Sequence, residues 1–154
     1  MSTGPKSLGD VVDGMKHGDD SGCAVMLTLK HIVVSRIKNH QTYDSYSNAF
    51  LQDYDWMGSI VSHYFRMITN ILRFVANNDR LSYEETKKYA EMFKAHLSDD
   101  ELTVLFGYCI AFEEEEDELY ELVKLFHVFE YMPTPVANCG AFVKEKYEEL
   151  GVVR

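Results

Sequence analysis

The chain has 154 residues, enough for one domain with one packed core, and its apolar content of 46% with ten tyrosines and nine phenylalanines is that of a folded protein rather than a disordered tail. Its formal charge of −10 repels a phosphate backbone at long range and argues against broad, non-specific nucleic-acid binding. The charge is uneven: residues 1–40 carry five Lys/Arg against four Asp/Glu, and residues 41–154 carry ten against 21.

The opening MSTGPKSLGDVVDGMKHGDDSG has no apolar core of a signal peptide and reads as a flexible N-terminal arm over residues 1–21, with a helical domain over 22–154. No run of apolar residues is long enough to span a bilayer, so the expectation is a cytoplasmic protein without a membrane span. Cys23, Cys109 and Cys139 fit no zinc spacing and read as reduced thiols.

Residues 23–38 carry apolar Val25, Leu27, Leu29, Ile32, Val33 and Ile37, several of them at helical spacing, although the Ile-Val-Val run is strand-like. From 43 to 76, Tyr43, Tyr46, Phe50, Tyr54 and Met57 recur every three or four residues, and Val61, Tyr64, Ile68, Ile71, Leu72 and Val75 continue the stripe. This predicts one long helix, or two with a bend near Gly58, ending at Asn77-Asn78-Asp79.

Ser82-Tyr-Glu-Glu85 and Ser98-Asp-Asp-Glu101 are two capping boxes sixteen residues apart, and they predict a helical hairpin. The acid run Glu113–Asp117 is expected to open a further helix carrying Leu119, Leu122, Val123, Phe126 and Phe129, stopped by Pro133. A last helix is expected over 141–150, closed by Gly151. The fold class is all-α, a single-domain bundle of about six helices.

Within the long helix, Ser59, His63, Arg66, Asn70 and Arg73 fall in one narrow sector while apolar residues cover the rest. A helix apolar on several sides is expected to be central, so this polar line is expected to face an interhelical groove. The plain reading is that His63 and Arg66 pair with carboxylates of neighbouring helices. The functional reading is a phosphate-bearing ligand, with the histidine moving a proton and the arginine holding the anion. Arg36 and His40 form a second basic pair, either a solvated helix end or a group brought near His63 and Arg66. His17, His31, His96 and His127 have no mutual ligand spacing, the acid run lacks the pattern of a calcium loop, and no phosphate-binding or hydrolase motif occurs. Neither a metal nor a cofactor is expected.

The runs SHYFRMITNILRFV, YAEMFKAHLSDDELTVLFGYCI and ELVKLFHVFEYM resemble the phage abortive-infection family related to AbiC, over roughly residues 43–132. His63, Tyr64, Phe65 and Arg66 match its first motif, and Leu97, Ser98, Glu101, Leu102, Leu105 and Phe106 its second. The chain departs from the family at His96, where glutamine is usual, and at Gly107-Tyr108, and members often carry membrane helices ahead of this domain, whereas none is expected within these 154 residues. The resemblance implies antiphage defence by arresting the infected cell.

The expected role is a sensing or protein-interaction module that meets a protein partner or phage component, with homo-oligomerisation left open. Catalytic candidates are His63 and Arg66; binding candidates are Asn70, Arg73, Tyr64, Arg36 and His40. The alternative is a metal-independent ribonuclease of the HEPN type, and RNA is a partner only under that alternative. The Arg-to-His spacing usual for that type is matched neither by Arg36 and His40 nor by His63 and Arg66.

Overall fold

The computed structural model describes residues 20–112, 118–132 and 139–152. Six helices occur among them: α1 Asp20–Asn39, α2 Tyr43–Asn77, α3 Tyr83–Ala95, α4 Asp99–Ala111, α5 Glu118–Leu125 and α6 Ala141–Glu149. No strand occurs among the described residues, so the strand-like run Ile32-Val33-Val34 is helical. The arm over 1–21, the acid run Glu113–Asp117 and the stop at Pro133 lie wholly or mainly outside the described residues.

The long helix is continuous through Gly58 and spans 35 residues. The Thr42 hydroxyl caps its start by accepting from Ser45 N. Both capping boxes form: Ser82 with Glu85 opens α3 and Ser98 with Glu101 opens α4, with the glutamate reaching the cap amide each time.

The central element is α4. It is buried on almost every side, including Glu101 and Thr103, and it packs against α1 and α2. This corrects the expectation that the long helix would be central. The long helix packs on α1, α3, α4 and α5 and keeps one face in water.

Gly107 is the reason α1 and α4 approach closely. A Cβ there would stand 2.5 Å from Val33 Cγ1, and both residues are buried. Tyr46 fills the adjoining space and donates its hydroxyl to the Gly107 carbonyl at 2.8 Å. Tyr43 and Ser47 both donate to the Ala111 carbonyl, one of the acceptors a helix C-terminus leaves without a partner. The same side of α2 carries an unbroken series of ring contacts, from Tyr43 through Tyr46, Phe50 and Tyr54 to Phe65 and Tyr64. Phe142, Phe112 and Tyr108 bridge it from the other elements. Ring pairs of this kind are worth about 0.5–1.5 kcal/mol each beyond their buried area.

Helix α5 stops at Leu125, short of the helix expected to run to about residue 131. His127 adopts a left-handed conformation with φ of 52°. His127 N bonds back to Lys124 O and Val128 N to Val123 O, the paired bonds of a Schellman cap without its usual glycine. Histidine is among the few non-glycine residues enriched in that region, and the buried Val128 supplies the apolar contact that secures the cap. Helix α6 ends by the same device with Gly151 at φ 75°, as expected from the sequence.

Candidate functional site

At 100° per residue, Ser59, His63, Arg66, Asn70, Arg73 and Asn77 repeat every three or four positions and stay within one sector of α2. All six are exposed. The line faces open water rather than an interhelical groove, because α4 and not α2 occupies the centre. The stretch 56–78 contains Arg66, Arg73 and His63 and no Asp or Glu, so this face is basic in an otherwise acidic chain.

The line divides into two halves. In the C-terminal half, Arg73 donates through Nε and Nη2 to Glu118 at 2.7 and 2.5 Å, and through Nη1 to Asn70 Oδ1 at 2.9 Å. The hydrogen bonds from Arg73 hold the Glu118 carboxyl below the usual glutamate range and raise the guanidinium in turn. Arg73 and Asn70 therefore tie α2 to the start of α5. In the N-terminal half, His63 and Arg66 make no hydrogen bond or ion pair among the described residues. They stand one turn apart, a separation at which neighbouring side chains on a helix reach a shared ligand.

Tyr64 points the other way. It is buried, and its hydroxyl has no hydrogen-bond partner among the described residues. Burial pushes its phenol well above the usual tyrosine value, with the charge of Glu101 as the second cause. It belongs to the core and not to the exposed line.

Arg36 and His40 are not brought to His63 and Arg66. Arg36 forms a two-pronged bond with Asp53, at 2.7 and 2.9 Å, and Asp53 is 6% exposed. Asp53 precedes His63 by ten residues, about 15 Å along the helix axis. His40 shares a hydrogen bond of 2.6 Å with Ser45 in the first turn of α2, further still from His63. Both residues fasten the α1–α2 connection.

Three features were not read from the sequence. Lys94 is buried and bonds to Glu91, Glu130 and the Phe126 carbonyl, which joins α3 to the turn after α5. Burial lowers its pKa, but the two carboxylates outweigh that and raise it above the usual lysine value. Lys146 is buried beside Glu149 and the Tyr120 ring. The signal for Lys94 was its place on the inner side of α3 with Ala90 and Phe93. The third feature is an open depression of about 780 Å³ at the C-terminal end of α2, where Phe74, Asn77, Asn78 and Arg80 surround the end of the polar line.

Among the described residues no group of three or more His, Cys, Asp or Glu side chains is placed to hold a metal ion. Cys109 and Cys139 are buried thiols outside any disulfide. No helix is long and apolar enough to cross a membrane, among those same residues.

A helical bundle with an exposed basic line on its longest helix is the class that fold and geometry define. Residues 57–136, just over half of the chain, match the family described as "Putative phage abortive infection protein". The chain belongs to that family, and the match includes His63, Arg66, Asn70, Arg73 and the whole second capping box. No curated protein and no solved structure matches the chain.

Proposed function

We propose that the chain acts in abortive infection as a helical sensing and interaction module, and that the exposed face of α2 around His63 and Arg66 meets a phage component or a partner protein. One observation carries this reading. His63 and Arg66 are exposed, one turn apart and unengaged among the described residues, within a stretch that lacks acidic side chains. Their neighbours Asn70 and Arg73 are engaged with each other and with α5. Membership of the family supports the defence role, and the reading has the chain work in the cytoplasm.

The same solvent access favours one second reading, a metal-independent ribonuclease. His63 would take the proton of a ribose 2′-hydroxyl as that oxygen attacks phosphorus, and Arg66 would hold the phosphate oxygens while the 5′-oxygen leaves and takes a proton from water. Incubating purified protein with end-labelled RNA in excess chelator separates the two. Cleavage lost in His63→Ala supports the nuclease; intact RNA, together with loss of phage protection in the charge-reversing Arg66→Glu, supports the interaction module. Full protection by soluble Arg66→Glu would sink the proposed surface.

A further inference from the structure

The depression at the C-terminal end of α2 is built from unlike parts that suit one class of ligand. Phe74 is 67% exposed, whereas Tyr46, Phe50, Tyr64 and Phe65 on the same helix are buried. Burying a phenylalanine is worth about 1.5–3 kcal/mol, a gain that this ring forgoes in the free chain. Asn77, Asn78 and Arg80 line the same depression. The turn that presents Arg80 is fixed locally, since Arg80 N donates to Asn78 Oδ1 at 3.0 Å and Leu81 N to Asn78 O at 3.1 Å. Arg73 lines the same wall but spends its three bonding directions on Glu118 and Asn70. Arg66 lies eight residues before Phe74, about 12 Å along the axis.

We propose that this depression binds a single-stranded nucleic acid segment, with one unpaired base stacked on Phe74, amides of Asn77 and Asn78 at its edge, and Arg80 and Arg66 on flanking phosphates. The pieces are those of a stacking platform. A duplex has no free base face to offer the ring. An acidic peptide fits less well, because Asp79 lies in the same depression and Glu118 neutralises Arg73, which leaves few unopposed cations. Two phosphate contacts on a single strand give a log–log salt slope of only about −1.4, so binding rests mainly on stacking. This also reconciles the site with a chain of net charge −10. The proposal names the class of phage component sensed, and rests on the exposed face of α2 being the sensing surface.

Fluorescence anisotropy tests it, with short labelled oligo(U), oligo(A) and oligo(dT) titrated by the full chain between about 50 and 300 mM salt. The expected result is saturable binding with that shallow slope, weakened about tenfold or more by Phe74→Ala, restored by Phe74→Trp, and reduced by Arg80→Ala. Circular dichroism checks that each variant is folded, which these exposed positions permit. Equal affinity for oligo(U) and oligo(dT) assigns the site to either sugar, and a preference for oligo(U) assigns it to RNA. Absence of binding by the wild type overturns the proposal, as does unchanged binding by folded Phe74→Ala. Equal displacement by polyglutamate overturns it in favour of an acidic protein segment. Harmless substitutions at His63 and Arg66 in phage plating would sink the sensing reading while leaving oligonucleotide binding at Phe74 standing, so the two failures are distinguishable.

Discussion

Arg73 near the end of α2 grips Glu118 at the start of α5 with both prongs of its guanidinium, and its third direction holds Asn70. This single contact divides the exposed line of α2 into a half that ties helices together and a half that makes no bond among the described residues. Glu118 has a folded-state pKa below its unfolded value, because Arg73 bonds to the ionised form. The stability it contributes is therefore present above about pH 4.3, the unfolded glutamate value, and is lost as pH falls through the depressed folded value. Thermal melts of wild type and Glu118→Gln should differ at pH 6 and converge toward pH 2.5, by a small amount that shrinks in salt because both partners are exposed. A gap that widens in acid would contradict the pairing.

Arg36 and Asp53 join α1 to α2 at a less exposed position. Arg36→Ala leaves a nearly buried carboxylate without its cation. The expected loss is about 1–3 kcal/mol in urea unfolding, below the cost of breaking a fully buried pair because the Arg36 side chain is 37% exposed. Asp53→Ala combined with Arg36→Ala should cost less than the sum of the two single changes.

Gly107→Ala tests the close approach of α1 and α4. The new methyl would meet Val33, a stiff β-branched side chain with no free space around it, and the expected cost is about 1–3 kcal/mol. Val33→Ala in the same chain should recover part of that loss. If Gly107→Ala alone is neutral, α1 and α4 stand further apart than a distance of 2.5 Å from that methyl to Val33 requires.

Two buried tyrosines on the same face of α2, about five turns apart, make opposite predictions. Tyr46 donates to the Gly107 carbonyl, so Tyr46→Phe should destabilise by about 1 kcal/mol. Tyr64 has a buried hydroxyl with no partner among the described residues, so Tyr64→Phe should be neutral or stabilising. Denaturant midpoints of the two variants against wild type decide the matter, and a marked loss in Tyr64→Phe would show that its hydroxyl is satisfied.

Local chemistry explains what was legible in the sequence. Ser82 with Glu85 and Ser98 with Glu101 bond only to residues three positions away, so their pattern announces the helix starts without any knowledge of the fold. The stripe from Tyr43 to Val75 reports a long helix for the same reason, since one face must be apolar throughout. Placement was harder. The spacing of His63 and Arg66 shows that they share a face but not which neighbour that face meets. α4 is apolar enough to be surrounded, and it takes the centre that α2, apolar on several sides, was expected to hold. Arg36 finds Asp53 across seventeen residues and Lys94 finds Glu130 across thirty-six, and no local pattern encodes such pairs. The end of α5 was missed because His127 stands in a left-handed position where glycine is the usual signal.

The central claim is that the fold leaves His63 and Arg66 for work at the exposed face of α2. Phage plating on cells expressing wild type, His63→Ala and Arg66→Ala, with soluble protein measured for each, tests it most directly. The account predicts that wild type reduces plaque numbers, and that both variants stay soluble at wild-type levels and lose that protection. Soluble variants that protect as well as wild type would contradict it, and so would variants that fail to fold, since exposed side chains that make no bond among the described residues are not what holds the described bundle together.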